Sequence, residues 1–273
     1  MPELPEVETV RAGLASLVGA RLRAVQLFRE DLRWPIPVAA VRDLVSRRLS
    51  SVRRRAKYLL LAFERDPEPV ALVHLGMSGR LFFGVNSDPR IAHEHWRMDF
   101  GGRALRFVDP RRFGMLDVVP SALLHEHGLL ANLGPEPLEA GFDASYVHAR
   151  TRKRKVATKS WVMDNHEVVG VGNIYANEAL FRAGIKPQRR VASLSRADAA
   201  RLVSAIRTVL AEAIEKGGTT IRDYIGAEQR EGYFQHELQV YGRANAPCRA
   251  CGTAILLLAK SARATYFCPH CQH

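Results

Sequence analysis

The sequence predicts an α+β chain: a β-rich N-terminal part, a helical middle and a small cysteine-bearing hairpin at the end. Three observations carry this. Short strand-like runs follow one another between residues 20 and 120, helical periodicity takes over from about 143, and four cysteines form two C-x2-C pairs near the C-terminus. With 273 residues the chain is long enough for two domains and a sizeable core.

The chain opens Met1-Pro2-Glu3-Leu4-Pro5-Glu6. Proline suits a first helical turn, acidic residues complement the positive end of a helix dipole, and Val7, Val10, Leu14, Leu17 and Val18 trace one apolar helical face. On these residues alone the stronger reading is a helix start. The other is chemical: with Met1 removed, Pro2 becomes an N-terminal secondary amine beside the Glu3 carboxylate. An α-amine titrates near pH 8 and attacks carbonyl-like carbons, and a neighbouring carboxyl can move the protons.

Strand-like runs then appear at Tyr58–Phe63, Val70–His74, Arg80–Phe83, Trp96–Phe100, Leu105–Val108 and Met115–Val119. Many short strands punctuated by Gly, Pro and Asp suggest a sandwich or a barrel. Gly128, Gly134, Pro135, Pro137 and Gly141 mark residues 121–141 as an interdomain connection. Ala197–Lys216 is the clearest helix, started by Ser195 and stopped by Gly217-Gly218. Ahead of it, the run from Arg150 to Lys159 carries six basic residues and no acid. Val169-Gly-Val-Gly-Asn-Ile-Tyr-Ala176 is a glycine-rich turn feeding a helix whose exposed amides, with Asn173, suit a phosphate. It lacks the strand and later acid of a dinucleotide fold.

Cys248 and Cys251 form one C-x2-C, Cys268 and Cys271 the other, with sixteen residues between the pairs. That spacing predicts a zinc ribbon, four thiolates closing a tetrahedron around one structural Zn2+ and leaving no open position for catalysis. His270 and His273 lie close by, but the cysteines suffice. A disulfide reading conflicts with the absence of a secretory signal and the reducing cytosol it implies. Between the pairs, two strand-like runs flank a small-residue turn carrying Arg263. Read alone, Arg263 is a solvated turn residue.

Net charge is +12 and the pI about 10.0, the footprint of a polyanion binder. The longest apolar runs are far too short to span a bilayer. The expectation is a soluble cytoplasmic protein with no membrane partner.

Taken in order, MPELPEVETV (Met1–Val10), RRAKYLL (Arg54–Leu60), HLGMSG (His74–Gly79), DPRRFG (Asp109–Gly114), LGPEPL (Leu133–Leu138), VGVGNIYA (Val169–Ala176) and QVYGR (Gln239–Arg243), then the zinc ribbon, resemble bacterial formamidopyrimidine-DNA glycosylases over the whole chain. The opening resembles that family rather than its sister, endonuclease VIII, which differs at the position of Leu4. The resemblance implies a two-layered β-sandwich with an N-terminal helix over 1–120 and a linker over 121–141. It further implies a helix-two-turn-helix domain over 142–234, with a lesion-capping loop at about 217–233, and a zinc finger over 235–273. DNA would lie across a basic cleft between the domains.

The implied activity is that of a bifunctional DNA glycosylase and AP lyase, a monomer acting on double-stranded DNA with oxidised purines such as 8-oxoguanine and formamidopyrimidines. Pro2 attacks C1′ to form a Schiff base, so Met1 must be removed, and Glu3 protonates the opening sugar. Lys57 serves β-elimination and contacts at the lesion. Arg263 is assigned to δ-elimination; because guanidinium stays protonated above about pH 12, clamping phosphate is the more physical role. A nucleotide flipped from the stack leaves a void, which the resemblance fills with Met77, Arg111 and Phe113. Read alone, Met77 and Phe113 are core residues. His93, Arg154 and Asn173 match backbone-binding positions, with His95 a competitor for His93 two residues away. No catalytic metal or organic cofactor is implied. Two alternatives stay open: an oxidised-pyrimidine glycosylase of the endonuclease VIII type, and a non-catalytic zinc-ribbon DNA-binding protein, against which Pro2, Glu3 and Lys57 argue.

Overall fold

A computed structural model describes residues 2–219, 233–258 and 263–273 of the chain. The chain divides into two compact units. The first comprises the described part of Met1–Asn132 and of Lys216–Tyr233; the second comprises Leu133–Glu215 with the described part of Phe234–His273.

The first unit opens with α1 (Leu4–Leu14), which runs into a short 3-10 turn, Ala15–Leu17. Val7, Val10, Leu14 and Leu17 are buried, but Val18 is 48% exposed, because the chain leaves helical geometry one residue before it. Eight strands follow: β1 (Ala24–Leu27), β2 (Leu49–Arg55), β3 (Tyr58–Phe63), β4 (Pro69–His74), β5 (Arg80–Gly84), β6 (Glu94–Asp99), β7 (Ala104–Val108) and β8 (Met115–Pro120), with a short helix α2 (Val38–Arg42) after β1. They form two antiparallel four-stranded sheets, ordered β1-β6-β7-β5 and β2-β3-β4-β8. The fold class is therefore α+β, with a two-layered sandwich in this unit.

One core joins both sheets and α1: Leu59, Leu61, Phe63 and Val73 from one sheet, Leu81, Trp96, Met98 and Phe107 from the other, and Val7, Val10 and Leu14 from the helix. Trp96 stacks on Phe107 at 5.1 Å between ring centroids. Glu94, fully buried on β6, accepts from Arg97 (2.9 Å) and Arg106 (2.6 Å). Burial alone would raise its pKa; the hydrogen bonds from Arg106 and Arg97 overcome that and hold it down at about 2.

The sequence pattern missed β1 and β2. β2 reads LSSVRRR, with only Leu49 and Val52 buried, so no apolar alternation announces it. It becomes a strand by pairing with β3 from Leu49↔Phe63 to Arg55↔Tyr58.

The second unit holds α3 (Ala144–Thr151), α4 (Thr158–Val162), α5 (Asn173–Arg182) and α6 (Arg196–Glu215), then β9 (Leu256–Leu258) and β10 (Thr265–Phe267), an antiparallel pair. Ser195 caps α6: its hydroxyl accepts from the Asp198 N–H at 3.1 Å, while the Asp198 carboxylate accepts from the Ser195 N–H at 2.9 Å. Gly217 and Gly218 follow the helix with φ of 72° and 85°, a left-handed stop that glycine adopts without strain. Among the described residues, no helix is long and apolar enough to cross a membrane.

Candidate active site

Pro2 and Glu3 lie buried at the N-terminus of α1, Glu3 only 2% exposed. Their anchor is Glu6, whose carboxylate accepts from the Glu3 backbone N–H at 2.8 Å. The same carboxylate accepts from the Thr219 N–H (2.8 Å) and hydroxyl (3.0 Å). Gly218 has φ of 85°, which favours glycine, and a Cβ there would fall 2.8 Å from Glu6 Oε1 and displace that carboxylate. Sequence reasoning overlooked Glu6. Its signal was the acid three residues after the N-cap, a capping-box spacing. Of the loop expected at about 217–233, residues 220–232 lie outside the described residues.

Lys57, 8% exposed, occupies the two-residue turn between β2 and β3. Ala56 in that turn has φ of 52°. Arg54 ties the turn to α1: its guanidinium donates to the Ala56 carbonyl and to the Glu8 carboxylate, both at 2.9 Å. Helix α1 and the Lys57 turn are thus braced together through Glu8 and Arg54.

His74, on β4 opposite Tyr58, accepts from the Gly76 N–H at Nδ1 (2.9 Å). Burial, with the Lys57 and Arg33 charges, pushes its pKa down to about 4. Because the folded pKa lies below the usual 6.5, the unfolded chain binds more protons between these values. His74 therefore contributes stability that is complete above about pH 6.5 and lost as pH falls toward 4. The Tm of His74→Asn is expected to fall less than that of the wild type between pH 6.5 and 4; parallel Tm profiles would refute this.

Met77 and Phe113 are 40% and 42% exposed, so neither is a core residue. Met77 lies in the turn between β4 and β5, Phe113 with Arg111 in the loop between β7 and β8. The Arg111 guanidinium sits 4.7 Å above the Phe113 ring. A Cβ on Gly76 would lie 2.4 Å from the Phe113 carbonyl carbon, so the two loops meet backbone to backbone. His93 and His95 separate cleanly: His93 is exposed with φ of 63°, while His95 is buried, its Nε2 donating to the Asp109 carbonyl at 2.7 Å.

In the second unit, Asn173 is the first residue of α5, and its carbonyl accepts from Asn177 Nδ2. Asn177 is fully buried, and its Oδ1 accepts from the Tyr266 N–H of β10 at 2.8 Å. Lys159, also buried, donates to the Ala264 carbonyl (2.7 Å) and the Thr265 hydroxyl (2.8 Å). Exposed Arg263 lies two residues before the start of this anchored strand. The hairpin turn over 259–262 lies outside the described residues. The basic run is not uncompensated. Glu167, 1% exposed and thirteen residues beyond Arg154, accepts from Arg150 (2.9 Å) and Arg154 (2.5 Å). That bond uses one of Arg154's five donors and fixes a side chain still half exposed. Fully buried Glu178 likewise accepts from the N–H groups of Gln239, Val240 and Tyr241 at 2.8–2.9 Å, fastening the QVYGR segment to α5.

The Sγ atoms of Cys248, Cys251, Cys268 and Cys271 all lie within 4.8 Å of one another. Cys251 and Cys268 are 3.5 Å apart, Cys248 and Cys271 3.9 Å. Zn–S bonds of about 2.3 Å in a tetrahedron require sulfur separations of about 3.8 Å. The donor set fits one structural zinc, and no pair is at disulfide distance.

Comparisons with known proteins agree along the chain. Residues 1–116 match the formamidopyrimidine-DNA glycosylase N-terminal domain, 133–224 the formamidopyrimidine-DNA glycosylase H2TH domain, and 246–273 the zinc finger found in FPG and IleRS. The formamidopyrimidine-DNA glycosylase of Stenotrophomonas maltophilia (strain R551-3) is 49% identical over 274 residues, spanning all of both chains. The crystal structure of the MutM (FPG) protein from Thermus thermophilus is similar at 40% identity and a TM-score of 0.89, covering 99% of this chain and 98% of that one. A mutant of Lactococcus lactis FPG, solved with a Fapy-dG containing DNA, is 31% identical with a TM-score of 0.92 over the full length of both. Sandwich, helical domain and zinc finger together define a DNA-binding enzyme of base-excision repair, a DNA glycosylase. More narrowly, the chain belongs to the formamidopyrimidine-DNA glycosylase family.

Proposed function

We propose that this glycosylase removes oxidised purines, 8-oxoguanine and formamidopyrimidines, from double-stranded DNA through a Schiff base on Pro2 and then cleaves the strand by β,δ-elimination, acting as a monomer. The observation that carries the reading is the braced pair of elements in the first unit: Pro2-Glu3 at the start of α1, and the Lys57 turn held to α1 by Arg54. Mere binding needs neither an N-terminal amine nor this brace.

The chemistry follows. With Met1 removed, the Pro2 nitrogen has a lone pair that an amide would delocalise. It attacks C1′ of the damaged nucleotide as the glycosidic bond breaks, and the proton its nitrogen then sheds leaves on the departing base. Glu3 gives its proton to the ring oxygen, the sugar opens, and an iminium joins Pro2 to C1′. That electron sink acidifies C2′. Loss of its proton, served by Lys57, expels the 3′ phosphate, and a second proton loss at C4′ expels the 5′ phosphate, leaving a one-nucleotide gap; water then hydrolyses the iminium, releasing the sugar remnant and freeing the Pro2 amine.

Met77 and Phe113 supply apolar wedges for the void left by flipping, and Arg111 pairs with the orphaned base opposite. His93, Arg154, Asn173 and Arg263 hold backbone phosphates, Asn173 through the positive end of α5. The zinc keeps the Arg263 hairpin folded. The oxidised-purine preference is supported by a relative that was solved with Fapy-dG containing DNA.

Borohydride trapping on an 8-oxoguanine:C duplex tests this. The wild type is expected to form a covalent adduct absent from undamaged DNA and lost in Pro2→Gly. Equal trapping by a chain that retains Met1, whose Pro2 nitrogen is an amide, would assign the nucleophile elsewhere, and preference for a thymine-glycol duplex would make the enzyme a pyrimidine glycosylase.

A further inference from the structure

We infer that Asp109 is a positioning residue that locks the Met77 turn and the Arg111–Phe113 loop into one preformed wedge, with Ser78 as the bridge between them. The inference rests on the proposed roles of Met77, Arg111 and Phe113 in filling the void.

Asp109 is fully buried at the end of β7, and every hydrogen-bonding group it owns is engaged. Its Oδ1 accepts from the Ser78 hydroxyl at 2.7 Å and from the Arg111 N–H at 3.2 Å. Its Oδ2 accepts from the Gly114 N–H at 2.8 Å. Its own N–H donates to the His93 carbonyl at 3.0 Å, and its carbonyl accepts from His95 Nε2 at 2.7 Å. Ser78 follows Met77 directly, and its oxygen also accepts weakly from the Arg111 N–H, at 3.3 Å. One carboxylate therefore fixes the residue after Met77, the backbone of Arg111 and the residue after Phe113.

The surroundings leave no slack. Cβ atoms built on Gly76 and Gly114 would meet the Phe113 backbone at 2.4 Å and the Phe107 ring at 2.5 Å. Arg112 sits at φ of 56°, a left-handed conformation that the loop must hold. A wedge expels a stacked base only if it does not yield itself, so ordering these exposed side chains beforehand removes an entropic cost from the flipping step. Asp109 touches no reacting atom. Its effect falls on base extrusion and not on sugar chemistry.

Ser78→Ala cuts the bridge while leaving the carboxylate, and Asp109→Asn turns one acceptor oxygen into a donor. Base release from an 8-oxoguanine duplex and strand cleavage at a preformed abasic site would be timed under single-turnover conditions. Flipping would be followed with 2-aminopurine beside the lesion. An abasic site has no base to unstack. For both variants the expected result is a tenfold or greater slowing of base release and of the fluorescence rise, with abasic-site cleavage within about twofold of wild type. Equal slowing on both substrates in Ser78→Ala would make the network merely structural, and unchanged flipping would overturn the inference outright. Should Asp109→Asn fail to fold, Ser78→Ala decides alone. A wild type inert on both duplexes would instead sink the underlying reading, and this inference with it.

Discussion

Glu3→Gln is expected to lower single-turnover base release from an 8-oxoguanine duplex by about 10²–10⁴-fold, the usual contribution of a positioned general acid. Affinity for the duplex and Tm should stay at wild-type values. The substitution is chosen for what it preserves. Glutamine keeps the backbone N–H that donates to Glu6, and it keeps a side-chain acceptor at the start of α1. What it loses is an ionisable proton. Because Glu3 is only 2% exposed, water has poor access to take over the transfer. A fall of less than about tenfold would remove Glu3 from the proton-transfer step and leave it a helix cap. A fall in Tm or affinity matching the rate loss would likewise mean a structural role.

Stripping the zinc is the second large effect. Among the described residues, the ribbon's apolar cluster is Val240, Ile255 and the buried Cys248 and Cys268, with Tyr266, Cys271 and Phe181 of α5 packed against it, a small core for holding a hairpin. Structural zinc in comparable small sites contributes on the order of 10–16 kcal/mol. Chelation, or Cys268→Ala, is therefore expected to release one zinc per chain and expose the amides of β9 and β10 to hydrogen exchange. Strand cleavage should be lost with them, since Arg263 precedes β10. The amides of β3 and β4 should stay protected, because the first unit has its own core of sheet and helix side chains. Cleavage at full rate after zinc release would show that the ribbon does not hold a residue the reaction needs. Protected ribbon amides would show that it folds without the metal.

Legibility tracked the range of the interaction. The zinc site was readable because two C-x2-C pairs impose their own geometry, and α6 because Ser195 and the paired glycines mark both ends. Strands with apolar runs, such as β3, were visible; β2 was not, since its arginine-rich sequence becomes a strand only through its partner. Val18 was misplaced by extending a helical period past a 3-10 turn. The basic run looked uncompensated because its counter-charge, Glu167, lies outside it.

By itself the sequence determined the order of the parts, the cysteine cluster that fits a zinc and the basic character, and it suggested the chemistry proposed for Pro2 and Glu3, all from residue type and short spacing. Only the tertiary structure decided what holds the working groups in place. Asp109 reaches Ser78 across 31 positions and Lys159 reaches Ala264 across 105, while Glu6 reaches Thr219 across 213. Buried carboxylates and an ammonium must find partners wherever the fold supplies them. Nothing in the local sequence announces which residue, tens or hundreds of positions away, that partner will be.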